Sequence, residues 1–216
     1  MKKHTNPMAP GVFYHVYNRG INGEDIFKEE RNYLYFLNQY AKYIQPVAET
    51  YAYCLMKNHF HLLVRTRSAE EIFQNTATTN VGRVQNPADV TNETEASKRI
   101  SNQFSKLFNS YAQAINKSFK RTGGLFEEPF RRIDIADETY LVQLVYYIHA
   151  NPQKHGFVEN FRDYPYSSYR THLSKLDTKL NRLELLRWFS DKDGYQEYHL
   201  PNQVLADLAK FEIEFD

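Results

Sequence analysis

Thr50-Tyr51-Ala52-Tyr53-Cys54-Leu55-Met56 and His59-Phe60-His61-Leu62-Leu63-Val64-Arg65-Thr66 are two strand-like runs separated only by the polar pair Lys57-Asn58. That pattern predicts a β-hairpin, or a single strand broken by a bulge. Alternate residues of a strand share a face, so His59 and His61 project together while Phe60 points the other way, into a core. Two neutral imidazoles on one face make half of a divalent-metal site. A His-x-His pair alone fits a polar sheet surface equally well.

Toward the N-terminus, Val12-Phe13-Tyr14-His15-Val16-Tyr17-Asn18 is rich in β-formers and ends at Arg19-Gly20, which predicts a first strand; Ile21-Asn22-Gly23 then signals a turn. Leu34, Leu37, Ala41 and Ile44 recur at helical spacing, predicting a helix from about Glu29 to Ile44 closed by Pro46. Residues 74–95 are rich in Asn, Thr, Pro and Glu without hydrophobic periodicity and read as a mobile insertion. Ser97 opens a basic helix over about 97–121, with Ile100, Phe104, Leu107, Tyr111 and Ile115 on one face, ending near Gly123-Gly124. Residues 131–135 read as a short strand. Asp137 is a candidate N-cap for a helix to about Ala150, stopped by Asn151-Pro152. A further helix is expected over 179–189, then a short terminal one. Strands interleaved with helices on short connections favour α+β, an antiparallel sheet covered by helices.

The chain has 216 residues and a formal charge of +1, with 42% hydrophobic and 25% charged residues. These values exclude wholesale disorder and permit a core without staples. The apolar runs are too short for a membrane span, and Met1-Lys2-Lys3-His4 is not followed by a signal-peptide core. Cys54, the only cysteine, cannot form an internal disulfide, and a cytoplasmic location is expected. Between Lys98 and Arg132, eight basic residues face only Glu127 and Glu128, while the last forty residues lean acidic. A local polyanion site on a near-neutral protein is allowed; so is a solvated helix face. Aromatics reach 15%, with 17 Tyr and 15 Phe.

A second group, Tyr146-Tyr147-Ile148-His149-Ala150-Asn151-Pro152, lies in the predicted helix near residue 147. Tyr147 and Asn151 are four apart and share a face, offering a phenol beside an amide oxygen. Tyr146 lies about 100° around the helix from Tyr147, so both cannot face the histidines. Ordinary core packing explains a helical tyrosine as readily.

Four stretches together carry a resemblance: residues 14–20, residues 52–64, Tyr147 to Val158, and Asp163-Tyr164-Pro165-Tyr166-Ser167-Ser168-Tyr169. In this order, over about 11–172, the chain resembles the single-tyrosine HUH transposases, and most closely their REP-associated tyrosine transposase branch. The resemblance implies a ferredoxin-like (RRM-like) antiparallel sheet flanked by helices, with a catalytic domain over 1–175 and a C-terminal helical extension over 176–216. It implies a nucleophile at Tyr147 and Mg²⁺ or Mn²⁺ held by His59, His61 and Asn151. It further implies single-stranded DNA, with hairpin elements, as the partner, and a 5′-phosphotyrosine intermediate. A monomer and a homodimer both fit, and a non-catalytic or domesticated hairpin binder is the alternative.

Tyrosine's unperturbed pKa is about 10, so only on the order of 0.1% is phenolate at neutral pH. Lys57 or Lys154 is therefore a candidate helper. For phosphate contacts the candidates are Arg19, Lys57, Lys106, Lys117, Lys120, Arg121 and Lys154. Two departures stand out. Lys57 replaces a common proline, and Glu127-Glu128-Pro129-Phe130 stands where relatives commonly have a Gln-Gly-Arg-Phe-like segment, which weakens a DNA grip there.

Overall fold

The computed structural model describes residues 7–77, 93–137 and 139–200. Its elements are β1 (Phe13–Arg19), α1 (Glu30–Ile44), β2 (Ala48–Met56), β3 (His59–Thr66), α2 (Ala69–Ala77), α3 (Glu93–Ser118), β4 (Arg131–Ile135) and α4 (Thr139–Lys154). Three short helices follow: α5 (Tyr169–Leu173), α6 (Arg182–Trp188) and α7 (Lys192–Tyr198). The strands form one sheet in the order β2-β3-β1-β4, antiparallel at every pairing. The β1-α1-β2-β3-helix-β4 succession in that order is the ferredoxin-like arrangement, so the expected α+β fold is present.

Both readings of the central stretch contain part of the answer. Lys57-Asn58 turns a hairpin, and a register shift between Thr50 and Ala52 also bulges β2. The turn is anchored because the Ile26 and Phe27 N–H groups both donate to the Lys57 carbonyl at 2.9 Å.

Strand alternation divides the core. Val16, Phe60, Leu62 and Val64 are buried with Phe36 of α1 and Phe104, Phe108 and Tyr111 of α3. The Phe60 ring lies 5.4 Å from Phe36 and 5.7 Å from Phe108, so much of the aromatic excess is hydrophobic filling. The opposite face carries Cys54, Met56 and Leu63, packed with Leu144, Val145 and Ile148 of α4. Leu185, Phe189 and Tyr195 join this second core, so the described part of the 176–216 extension packs against α4.

Three boundaries differ from expectation. The basic helix starts at Glu93 and ends at Ser118, where Asn116 and the turn through Lys120 (φ 51°) take over. α2 occupies the start of the 74–95 insertion, because Ile72 and Phe73 supply a short apolar face; residues 78–92 lie outside the described residues. α4 does not stop at Asn151-Pro152 but runs to Lys154. Proline removes only one helical N–H, and the turn beyond it is closed by a cap. The Phe157 N–H donates to the Pro152 carbonyl, the Gly156 N–H to the Gln153 carbonyl, and Gly156 takes φ +71°. This is the Schellman arrangement, which needs a left-handed residue that glycine adopts without a Cβ clash.

Candidate functional site

The antiparallel register places Tyr17, His61 and Cys54 in one row across β1, β3 and β2, and Arg19, His59 and Met56 in the next. All project toward α4. The imidazoles of His59 and His61 lie 5.4 Å apart at nearly right angles, and both are buried, at 6% and 0% exposure.

Tyr147 and Asn151 of α4 and His155, the residue that follows its last turn, are spaced i, i+4, i+8 and form one stripe. The Tyr147 ring meets His61 edge-on at 5.6 Å, and the His155 ring meets His59 at 4.8 Å. Asn151 lies between these two contacts and is 1% exposed. Its Nδ2 donates to the Tyr147 carbonyl at 2.9 Å, which fixes the amide and leaves Oδ1 a buried acceptor without a hydrogen-bond partner. The structure therefore brings His59, His61, Tyr147 and Asn151 together. Tyr146 points elsewhere, packing on Phe161, Tyr198 and His199.

Hydrogen bonds orient both imidazoles. Asn58 Oδ1 lies 2.7 Å from His59 Nδ1; a carbonyl oxygen only accepts, so Nδ1 carries the proton and Nε2 the lone pair. His61 Nδ1 shares a 3.0 Å hydrogen bond with His15 Nε2, and donation from His61 leaves its Nε2 as the basic nitrogen. Burial is the largest effect holding His59 down to about 3, with the charges of His155 and Arg19 adding to it. Burial likewise pushes His61 well below the usual histidine range, followed by His15 and His59. Both rings are thus neutral at physiological pH, as a metal ligand must be.

Among the described residues no group of three His, Cys, Asp or Glu side chains is spaced to hold a metal ion. The donor set here is two neutral imidazoles plus the buried Asn151 amide oxygen, and an acceptor buried without a hydrogen is what a cation would complete. This set fits a divalent ion, and its two nitrogens suit Mn²⁺ better than Mg²⁺.

The basic candidates separate into two groups. Lys154 places Nζ 5.6 Å from the Tyr147 ring centroid, and Arg19 stands directly across from His59. Lys57, in the hairpin turn beside His59, is ion-paired with Asp25 at 2.9 Å. Lys106 and Lys117 are exposed on α3, which covers the opposite face of the sheet, with Lys120 in the turn after it. Arg121 is there too, bound to Glu24 and Asn116. The basic helix α3 is therefore across the sheet from Tyr147.

His15 and His155 belong to the site, although neither stands out in the sequence. His15 shows only as an alternate partner of Tyr17 in β1, and His155 only as the third member of the 147/151/155 spacing.

No family model matches the chain. A Haemophilus influenzae protein assigned to the REP-associated tyrosine transposases is 28% identical over 123 residues, 56% of this chain and 58% of the relative. The chain thus spans less than two thirds of that relative's length. A solved structure of a REP-associated tyrosine transposase bound to a REP hairpin aligns with a TM-score of 0.52. That alignment covers 83% of this chain and 89% of the other at 14% identity, and shows a shared fold. The chain resembles REP-associated tyrosine transposases in both sequence and fold.

Proposed function

We propose that the protein is a metal-dependent single-stranded DNA endonuclease and strand transferase of the HUH type, acting on hairpin-containing DNA through Tyr147. The observation that carries this reading is the stripe of Tyr147 and Asn151 laid against the buried, neutral pair His61 and His59.

His59, His61 and Asn151 would hold Mn²⁺ or Mg²⁺, and such an ion, when bound, supplies Lewis-acid polarisation of a nonbridging phosphate oxygen. The chain's own residues do the rest. His15 and Asn58 fix the imidazoles, so that their lone pairs are aimed before substrate arrives. Asn151 ties its amide to the helix turn that carries Tyr147. Lys154 sets a positive charge beside the phenol, favouring the phenolate as the proton leaves. Attack of the Tyr147 oxygen on phosphorus forms a phosphotyrosine bond and breaks the P–O3′ bond, releasing a 3′-hydroxyl. The covalent link retains the phosphodiester energy, so another 3′-hydroxyl can reverse the step without ATP.

Tyr147 is only 3% exposed, with Lys154 Nζ 5.6 Å from its ring centroid, so its surroundings must part before a strand reaches the phenol. That burial also favours a second reading, a hairpin binder that retains the fold without turnover. A labelled single-stranded hairpin with flanking sequence, incubated with Mn²⁺, separates the two. The expected result is a denaturation-resistant protein–DNA adduct, absent in Tyr147→Phe and His59→Ala but present in Tyr146→Phe. An adduct surviving Tyr147→Phe overturns the nucleophile; tight binding without any adduct favours the binder.

A further inference from the structure

Glu127 and Glu128 are the residues that the resemblance leaves unexplained. The Glu127 N–H donates to the Arg19 carbonyl at 2.9 Å, and Gly20 bridges to Phe126, so this segment continues the sheet beside the end of β1. That pairing delivers the Glu127 carboxylate between two guanidiniums. One oxygen accepts from Arg19 Nε, and the other lies 3.6 Å from an Arg131 nitrogen. Arg19 is paired across the sheet with His59, and Arg131 with Tyr17, whose ring stacks 5.9 Å from His61. Both arginines therefore project on the face of the histidine pair. The three side chains remain partly open to solvent, at 35%, 31% and 25% exposure.

A carboxylate held between two guanidiniums occupies the position, charge and hydrogen-bonding geometry that a phosphodiester would take. We infer that Arg19 and Arg131 form a phosphate clamp beside the histidine pair, with Glu127 as a resident anion that an incoming phosphodiester displaces. The inference rests on the reading of the protein as one that binds single-stranded DNA. Glu127 makes the clamp self-satisfied when no strand is present, so isolated phosphates bind weakly. A strand that already engages other contacts can displace the carboxylate.

Exchange of one carboxylate for one phosphodiester leaves the negative charge between the arginines the same before and after, so the clamp adds little counterion release to wild-type binding. Glu127→Gln, which keeps the shape and removes the charge, changes this. Binding of a fluorescent single-stranded hairpin oligonucleotide, without metal and across a salt series, is expected to tighten about three- to tenfold at low salt. The plot of log K against log salt is expected to steepen by about 0.7, one additional single-strand phosphate. Arg19→Gln/Arg131→Gln in the Glu127→Gln background should erase both gains. A merely structural Glu127 would alter the unfolding midpoint without altering the salt slope.

A second arm separates the clamp from the DNA reading. In ¹⁵N-labelled Glu127→Gln protein, the arginine side-chain Nε signals of residues 19 and 131 should shift on titration with inorganic phosphate, and shift less in wild type. If wild type binds no DNA but these signals respond, the clamp stands and the DNA reading falls. If DNA binds with unchanged affinity and slope in Glu127→Gln, or the arginine signals ignore phosphate in both proteins, the clamp is wrong.

Discussion

His15 is the residue on which the orientation of the candidate metal site depends most. Its Nε2 is 3.0 Å from His61 Nδ1, and it is 1% exposed, so nothing from solvent can replace that bond at low cost. His15→Ala is expected to weaken Mn²⁺ binding about 10- to 100-fold, the usual consequence of losing a group that orients a ligating imidazole. Electron paramagnetic resonance of free Mn²⁺ reads this directly, and an unchanged dissociation constant would show that His61 is held by packing alone. The asymmetry in what the sequence reveals has the same origin. His59 with His61, and Tyr147 with Asn151, each show as a shared face through a period of two or four within one segment, and the resemblance supplies their roles. His15 needs the β1–β3 register, and His155 needs the placement of α4 on the sheet, and neither is encoded in local spacing. The lysines of α3 show the same limit: charge along a helix does not say which side of the sheet that helix covers.

At the scale of elements, α4 carries half the site, and its last turn survives a proline because Gly156 caps it. A side chain at Gly156 would meet no neighbour, so the cost of Gly156→Ala is conformational. It is expected to destabilise the protein by about 1 kcal/mol, the penalty for an L-residue in the left-handed region. The same change should loosen the His155 contact with His59. Urea unfolding checks the first effect. The second is checked by the His155 ring resonances, which should lose their dependence on His59; a variant as stable as wild type would mean that the turn closes without the left-handed residue. The proline rule ended the predicted helix too early because a stop signal competes with a cap whose strength lies in backbone bonds formed after it. The strands were more legible. Alternation around Phe60 reports two buried faces, and the turn Lys57-Asn58 leaves almost no slack in register. α2 was hidden because, among its described side chains over 69–75, only Ile72 and Phe73 are buried, too few to establish a period.

Across the whole molecule, the described C-terminal helices are attached to α4 through a second buried histidine group. His149 Nε2 bonds Ser168 Oγ at 2.8 Å, and its Nδ1 lies 3.0 Å from His199 Nε2. His172 is packed 6.1 Å from His149 and 5.7 Å from Tyr195. His199 is held down to about 3, mainly by burial and further by the charges of His172 and Arg162, against the opposing hydrogen bond that its Nδ1 donates to the Tyr195 carbonyl. Burial holds His172 down to about 4, with Arg182 adding to it and a backbone hydrogen bond to Tyr51 opposing. A histidine whose folded pKa is depressed binds its proton first in the unfolded chain, near 6.5. Its full contribution to stability is therefore present above about 6.5 and is lost as pH falls from there toward the folded value. Each histidine contributes up to about 1.4 kcal/mol per pH unit in that window, so the pair gives on the order of 3 kcal/mol per unit. The window from pH 6.5 to 5 lies above the ordinary carboxylate range, which isolates the histidines; His59 and His61, also depressed by burial, add to the wild-type fall, so the His172→Phe difference reports this group. The unfolding free energy from urea titrations should be flat from pH 8 to 7 and drop steadily from 6.5 to 5, and His172→Phe should lower that slope by about 1.4 kcal/mol per unit. A wild-type unfolding free energy that stays constant down to pH 5 would mean that water or a rearranged partner meets these rings once they are charged. The attachment of the C-terminal helices would then not depend on their neutrality.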